Sequence, residues 1–377
     1  MGNEKQLKKP LYARSNLDKT VLPFWRQKRM YRESIAMIRR EDGEITARTL
    51  FRPLKILEIR NNALNQVFES GKDYTWDGCS AEIKWIAGSK IPYFTQNDIA
   101  GRDAEGNQIL AWGDEEHGWK EESPWDFLGR SRFNEALFTA GPFLYEKQIA
   151  ITYEYDMGDA AGFGTAFQGE RLPKLLEKFR NQEDIKITFY GDSIFFGCDS
   201  SSLNARPPFQ PSFPYWVEKE LTRRYRCKIE LRNPSVGGKD TIWGKENAKE
   251  LVADDHPDFV FIGFGMNDGG KTGQEAADNL RSIVETVRAQ NPACEFLIVV
   301  PMVANVQSGF LSTQTQFSAS YATLAGPGTA LVDMYREHEK ILQYKDYIAV
   351  SGNNVNHPND WLIRVYAMNL LSALIPY

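Results

Sequence analysis

Ser193 is a residue whose type and position suggest nucleophilic chemistry. It lies in Gly191-Asp192-Ser193-Ile194, directly after the apolar run IKITFY, which is typical of a β-strand. A serine at the sharp exit of a strand, followed by the start of a helix, presents its hydroxyl at the sheet edge with its own amide free to donate. The alternative is an ordinary turn or capping serine, because both use this residue often.

The next two strands end in segments that fit the same site. The segment NPSVGGKDT follows the second strand, and its Gly237 and Gly238 allow the backbone to approach whatever lies beside Ser193. The third strand ends in Gly265-Met266-Asn267-Asp268, which places the side-chain amide of Asn267 where a donor to an oxyanion would be needed. Each segment alone is also typical of a simple turn.

Four histidines are the candidates for a general base. His117 lies in an acidic insertion, His256 precedes a strand, and His338 lies in the charged helical run REHEKIL. His357 remains, in a loop between the last strand and the final helix, which Pro358 opens. A serine and a histidine at the ends of different strands are the arrangement that acyl transfer uses. We therefore predict that Ser193 and His357 meet above one sheet.

The elements that would position these residues alternate from about residue 185 to the end. Apolar strands separated by amphipathic helices predict a parallel sheet covered on both faces. We expect a five-stranded, doubly wound α/β domain over 185–377. The predicted strands are IKITFY, KIELRN, DFVFIGFG, EFLIVVP and TALVDM, and the longest predicted helix is GQEAADNLRSIVETVRAQ.

The first half of the chain has a different pattern. Short alternating or aromatic-rich runs separated by turn formers predict a β-sandwich of the jelly-roll kind over 45–180, with a long irregular insertion at 97–130. The stretch 158–184 is expected to connect the two domains. Residues 1–44 are interpreted as a basic N-terminal arm, because the first forty residues hold eleven basic and three acidic side chains.

Composition excludes several classes of protein. The chain has 377 residues, enough for two domains of roughly 150 residues, and its net charge of −5 argues against a general nucleic-acid binder. No apolar run is long enough to span a membrane. Four widely separated cysteines indicate neither a zinc site nor a disulfide framework. The beginning of the sequence lacks an export signal, so we expect a cytoplasmic protein if this N-terminus is native and an exported one if a signal peptide was removed. The oligomeric state is left open.

Taken in order, the four segments resemble the SGNH hydrolase superfamily, also called GDSL-type esterases and lipases. The resemblance rests on Gly191-Asp192-Ser193, Gly238, Gly265-Met266-Asn267-Asp268 and His357. It implies that Ser193 attacks an ester carbonyl and that His357 transfers the proton. It also implies that the amides of Ser193 and Gly238 and the side chain of Asn267 hold the oxyanion, with no metal or organic cofactor.

One position departs from the family pattern. The superfamily commonly carries an aspartate three residues before the histidine, where this chain has Asn354. Three interpretations follow: a Ser193–His357 dyad oriented by a backbone carbonyl or by the carbonyl oxygen of Asn354, a carboxylate from elsewhere such as Asp268 or Asp360, or an inactive enzyme. The dyad is favoured, because the other motifs are intact and carbohydrate esterases of similar layout work with a Ser–His dyad.

The two-domain layout resembles carbohydrate esterase family two, which implies removal of acetyl groups from a sugar. The expected partner is therefore a small-molecule or oligosaccharide ester. Lipase-like or thioesterase-like activity is an alternative, and so is a catalytically inactive carbohydrate-binding protein. Trp243 and Tyr190 are candidates for the walls of a sugar-binding cleft, although core packing or a simple surface position is the more common role for any single ring of this kind.

Overall fold

The computed structural model describes residues 17–109, 130–139 and 142–377. The strands of the first part are β1 (Arg29–Arg39), β2 (Ile45–Arg48), β3 (Lys55–Asn61), β4 (Val67–Phe68), β5 (Tyr74–Thr75), β6 (Glu82–Trp85), β7 (Tyr93–Phe94), β8 (Ser131–Phe133), β9 (Ala136–Phe138) and β10 (Gln148–Glu154). The strands of the second part are β11 (Ile185–Gly191), β12 (Ile229–Arg232), β13 (Phe259–Gly263), β14 (Glu295–Val300) and β15 (Thr329–Asp333).

The helices are short in the first part and longer in the second. They are α1 (Leu17–Val21), α2 (Gln96–Ile99), α3 (Pro142–Lys147), α4 (Pro173–Asn181), α5 (Ser193–Phe196), α6 (Phe213–Tyr225), α7 (Thr241–Leu251), α8 (Gly273–Gln290), α9 (Phe317–Ala322), α10 (Met334–Leu342) and α11 (Asp360–Leu374). No helix in the described part of the chain has the length and apolar character needed to cross a membrane.

The N-terminal part is a β-sandwich whose two layers share strand β1. The strand order is β4-β3-β10-β1-β2-β6-β5, and β7 also pairs with β1. The first portion of β1 pairs antiparallel with β10, with Ile35 opposite Ile149. Its last residues pair with β2 and, in parallel, with β7. Because the long strand passes from one layer into the other, it forms the central element of the sandwich.

The position of β1 changes the N-terminal boundary that the sequence suggested. Strand β1 lies inside the segment 1–44 that we interpreted as a basic arm, so the β-sandwich begins before residue 45. The apolar run at the end of β1 is buried, although basic side chains flank it. Of the predicted insertion at 97–130, residues 110–129 lie outside the described residues, as do residues 1–16 of the predicted arm.

The C-terminal part confirms the predicted α/β fold. Its five strands are parallel in the order β12-β11-β13-β14-β15, and each lies where the sequence predicts it. The longest predicted helix, α8, also has the expected bounds, and it begins with a capping box formed by Thr272 and Glu275.

Alternate residues of the central strand β13 enter two different hydrophobic cores. Phe259 and Phe261 pack in the core that includes residues of α6 and α11. Val260 and Ile262 pack in the core that includes residues of α8. Since both faces of the sheet are covered, every residue of β13 is buried. This explains why the strand is a continuous apolar run in the sequence.

Candidate active site

Ser193 is the first residue of α5, immediately after the end of β11. The carboxylate of Asp192 caps this short helix by accepting a hydrogen bond of 2.9 Å from the backbone N–H of Ile194. Ser193 is buried except for 6% of its surface. Burial raises the pKa of Asp192 to about 7. The strand end and the cap together fix the backbone from which the serine hydroxyl projects.

The structure brings Ser193 and His357 within hydrogen-bonding distance. The Ser193 Oγ lies 2.8 Å from His357 Nε2. On the other side of the ring, His357 Nδ1 lies 2.7 Å from the Oδ2 of Asp199. A carboxylate at Nδ1 favours the tautomer that carries its proton there, which leaves the Nε2 lone pair facing the serine hydroxyl. The three side chains form a continuous line suited to removing the serine proton.

Asp199 is the carboxylate at the imidazole, and it was not among the residues predicted from the sequence. It lies in the loop after α5, its side chain is 5% exposed, and its φ of +61° is in the left-handed region. Its second oxygen, Oδ1, accepts a bond of 3.3 Å from the side-chain amide of Asn204. The only signal in the sequence is an acid close after the nucleophile, whereas the family pattern directs attention to the residues before the histidine.

Asn354 is not the partner of the imidazole, so the interpretation that it orients His357 is wrong. Its side-chain amide donates a bond of 3.2 Å to the carbonyl of Leu137, and its backbone N–H donates to Ser351 Oγ at 2.9 Å. Its φ of +64° makes it a sharp corner in the loop, a conformation that asparagine tolerates well. Among the interpretations left open by the sequence, the geometry matches the carboxylate from elsewhere.

The two carboxylates that the sequence suggested for that role lie on other partners. Asp268 accepts hydrogen bonds from the backbone N–H and the hydroxyl of Thr241. Asp360 accepts a bond of 2.9 Å from the backbone N–H of Ser201, and burial raises its pKa to about 6. Both carboxylates therefore hold neighbouring backbone segments in place and do not contact the imidazole in the structure.

The predicted oxyanion donors lie on loops close to the serine. A Cβ atom added to Gly237 would lie 3.7 Å from the Cβ of Ser193, so this loop passes directly beside the nucleophile. Gly238 follows with a left-handed φ of +75°, and a Cβ there would meet no atom within 4 Å. Asn267 donates a bond of 3.0 Å to the carbonyl of Lys239, and its amide nitrogen carries a second hydrogen. The strand ends therefore converge as the sequence analysis expected.

The two rings considered as cleft walls differ in exposure. Tyr190 is fully buried, donates a bond of 2.7 Å to the carbonyl of Gly244 and packs edge-on against Phe264, so it is a core residue. Trp243 is half-buried and lies beside the ammonium group of Lys239. Within residues 17–109, 130–139 and 142–377, no group of three or more His, Cys, Asp or Glu side chains is placed to hold a metal ion.

Comparison with known proteins gives a family match for the second half of the chain. Residues 189–361 match the model of the GDSL-like Lipase/Acylhydrolase family. No curated protein sequence matches the chain significantly. One similar solved structure is a two-domain esterase (CEX) active on acetylated mannans, co-crystallised with mannopentaose, with 20% identity and a TM-score of 0.45. That alignment covers 56% of this chain and 55% of the other, so the match spans about half the length of that esterase.

A second similar structure is Axe2, an acetylxylan esterase from Geobacillus stearothermophilus. It is 21% identical with a TM-score of 0.41, and the alignment covers 50% of this chain and 92% of the other. The family match covers the strand ends that carry Ser193, Gly238, Asn267 and His357. The resemblance stated from the motifs is confirmed by this match, which places residues 189–361 of the α/β part with the GDSL-like lipase and acylhydrolase family.

Proposed function

We propose that this protein is a serine esterase that removes O-acetyl groups from a carbohydrate, with Ser193, His357 and Asp199 as its catalytic residues. The observation that carries the proposal is the unbroken line of hydrogen bonds from Ser193 Oγ through the imidazole to the Asp199 carboxylate. The family match supports ester hydrolysis. The sugar part of the proposal is supported by the β-sandwich that precedes the hydrolase domain, the layout that resembles carbohydrate esterase family two.

The first half of the reaction forms an acyl-enzyme. His357 Nε2 accepts the proton of Ser193 Oγ as that oxygen bonds to the ester carbonyl carbon. The imidazolium that forms is stabilised by Asp199 through Nδ1–H. When the tetrahedral intermediate collapses, His357 returns the proton to the departing sugar hydroxyl, and the acetyl group stays on Ser193. General acid and base action of this kind contributes about 10²–10⁴-fold to the rate.

The second half releases acetate. A water molecule gives a proton to His357 Nε2 while its oxygen attacks the acyl carbon, and the proton then returns to Ser193 Oγ as acetate leaves. In both halves the negative oxygen would receive hydrogen bonds from the amides of Ser193 and Gly238 and from the side chain of Asn267. Loss of one such donor costs about 2.7–4 kcal/mol of transition-state stabilisation in comparable sites.

The proposal is tested by labelling with a fluorophosphonate, which reacts with an activated serine whatever the substrate. We expect the wild-type protein to be labelled at Ser193, and we expect no labelling of the Ser193→Ala variant. The same pair should differ in hydrolysis of p-nitrophenyl acetate. Equal hydrolysis rates for the two proteins would show that Ser193 is not a nucleophile and would leave a binding protein as the better description.

Acyl-chain length separates the proposed activity from a lipase-like one. We expect faster hydrolysis of p-nitrophenyl acetate than of the octanoate ester, and release of acetate from acetylated xylo- or manno-oligosaccharides. A preference for octanoate with no acetate release from either sugar would favour the lipase or thioesterase alternative. Both measurements use the full chain.

Gly352 provides a test of Asp199 that changes none of the three catalytic side chains. A Cβ atom at position 352 would lie 2.4 Å from the Cβ of Asp199 and 2.9 Å from the carbonyl oxygen of Pro358. We expect Gly352→Ala to displace the carboxylate and to lower kcat about 10²-fold, because small displacements in a catalytic array are costly. Gly326→Ala is the matched control, since a Cβ there meets nothing within 4 Å. Similar kcat values for the two variants would contradict the role of Asp199.

A further inference from the structure

The segment that carries His357 behaves as one stiff unit, which we call the His loop and define as residues 350–359. The side-chain oxygen of Asn353 accepts hydrogen bonds of 2.9–3.1 Å from the backbone N–H groups of Val355, Asn356 and His357. The hydroxyl of Ser351 donates a bond of 2.9 Å to the carbonyl of His357. Since these bonds tie the loop to itself, the position of the imidazole depends on what holds the loop as a whole.

Gln148, the first residue of β10 in the β-sandwich, holds both ends of the His loop. Its side-chain amide nitrogen donates bonds of 2.7 Å to the carbonyls of Ile348 and Ser351, before and within the loop. Its carbonyl oxygen accepts a bond of 3.1 Å from the side chain of Asn359 at the far end. Gln148 is almost completely buried. Burying an amide is costly unless it is hydrogen-bonded, and the loop supplies these partners.

Strand β1 of the sandwich and strand β9, which pairs with β8 in a separate two-stranded sheet, also contact this loop. Asn359, which caps α11 through its side-chain oxygen, donates a bond of 2.9 Å from its amide to the hydroxyl of Ser34 on β1. Leu137 on β9 accepts the bond from Asn354, and the backbone N–H of Thr139 donates to the carbonyl of Asn353 at 3.4 Å. The His loop is therefore hydrogen-bonded to strands β1, β9 and β10, in addition to Asn305 of the α/β domain.

We propose that Gln148 is a positioning residue for His357, so that the β-sandwich completes the active site of the hydrolase domain. Ser193 and Asp199 both follow β11 in the α/β domain. The loop that carries the imidazole is bonded to that domain through Asn305, which donates to the carbonyls of Asn354 and Val355. Its two ends are bonded to the sandwich through Gln148. The distances of 2.8 and 2.7 Å at the two ring nitrogens depend on that attachment. This inference rests on the proposed function, because it assigns Gln148 to the same reaction.

The experiment replaces Gln148 with methionine, which has a similar volume and no hydrogen-bonding amide. We expect Gln148→Met to lower kcat for p-nitrophenyl acetate about 10–100-fold, in keeping with the cost of a small misplacement, and to leave KM within a factor of about two of wild type. Thr152→Val is the matched control. Thr152 is a buried residue of the same strand, and its hydroxyl accepts a bond from Arg32 N–H and not from the His loop. We expect the control to keep the wild-type kcat.

A spectroscopic measurement separates positioning from general loss of structure. The proton between His357 Nδ1 and Asp199 should give a downfield NMR signal that is sharp in wild type and in Thr152→Val and weakened in Gln148→Met. A wild-type kcat and signal in Gln148→Met would overturn the inference. The inference would also be overturned if Gln148→Met and Thr152→Val lost kcat equally and in proportion to the fall in their melting temperatures. Any substitution that destabilises the core would give that result.

Failure of this inference and failure of the proposed function give different results. If wild-type protein is not labelled by the fluorophosphonate, the proposed function fails whatever Gln148 does. If wild type is labelled and Gln148→Met is labelled at the same rate, the proposed function stands and the positioning role fails. If Gln148→Met does not fold, Ser34→Ala can be used, because it removes the hydrogen bond from Asn359 to the Ser34 hydroxyl. We expect this variant to be labelled more slowly than wild type, by a smaller factor. An unchanged labelling rate would count against the inference.

Discussion

Asp199→Asn should lower kcat about 10⁴-fold, the size of effect seen when the acid of a Ser-His-Asp triad becomes an amide. The shape of the side chain is retained, but the amide carries no charge to stabilise the imidazolium. The amide can also turn its N–H groups toward Nδ1, which favours the tautomer with its proton on Nε2. That proton would then face Ser193 Oγ, 2.8 Å away, and block its deprotonation. The measurement is kcat for p-nitrophenyl acetate, with KM expected to change little.

Asn354→Gly is the appropriate comparison for Asp199→Asn. Glycine accepts the φ of +64° at this corner, so the variant removes the side chain without straining the backbone. It loses the hydrogen bond to the carbonyl of Leu137 and the long one from the side chain of Asn305, neither of which involves His357. We expect kcat to remain close to that of wild type. We also expect His357→Ala to lower kcat far more than Asn354→Gly. A loss in Asn354→Gly as large as that in Asp199→Asn would show that the asparagine supports the imidazole after all.

Lys345→Met should destabilise the folded protein by about 3–5 kcal/mol, because it leaves a buried carboxylate without its cation. Lys345 and Glu33 form an ion pair with both side chains fully buried. The Glu33 carboxylate also accepts bonds from the hydroxyl of Tyr153 at 2.6 Å and from the backbone N–H of Leu50 at 2.8 Å. Burial lowers the pKa of Lys345, and the adjacent carboxylate opposes that change. Urea unfolding curves would measure the loss.

The double variant Lys345→Met/Glu33→Gln tests the cause of that loss. A neutral glutamine leaves no unpaired charge in the core, so the double variant should recover a large part of the lost stability. Lys72→Met removes the cation of an exposed pair with Glu69 and should leave unfolding unchanged. If the double variant were as unstable as Lys345→Met, the loss would come from packing and not from the unpaired charge.

Most of the hydrolase fold could be predicted from the sequence because its strands are buried on both faces. Strand β13 is an uninterrupted apolar run, and the capping box at Thr272 marks the start of α8. Strand β1 was not predicted, because basic residues flank the buried apolar run near its end. The excess of basic residues over the first forty positions drew attention away from a short apolar run, which forms a central strand of the sheet.

The candidate site was predictable only as far as local motifs reach. Ser193, Gly238, Asn267 and His357 each follow a strand or precede a helix, and the topology of a parallel sheet brings such positions to one edge. Asp199 has no comparable motif. Its contact with His357 depends on a left-handed turn after α5 and on the space left by Gly352, and both are tertiary features.

Ser193 and Asp199 lie on a different segment from His357, and this has a consequence for how the protein loses activity. Nucleophile and acid lie on one short stretch of chain, while the base lies on a segment that is bonded both to its own domain and to the neighbouring sandwich. A slight parting of the two domains would therefore break the bonds from Gln148 and loosen the loop that positions the base, while each domain kept its own sheet intact. Under mild heating or in dilute urea, kcat should fall before the circular dichroism spectrum shows any loss of secondary structure. Catalytic activity is therefore the most sensitive measure of the contact between the two domains.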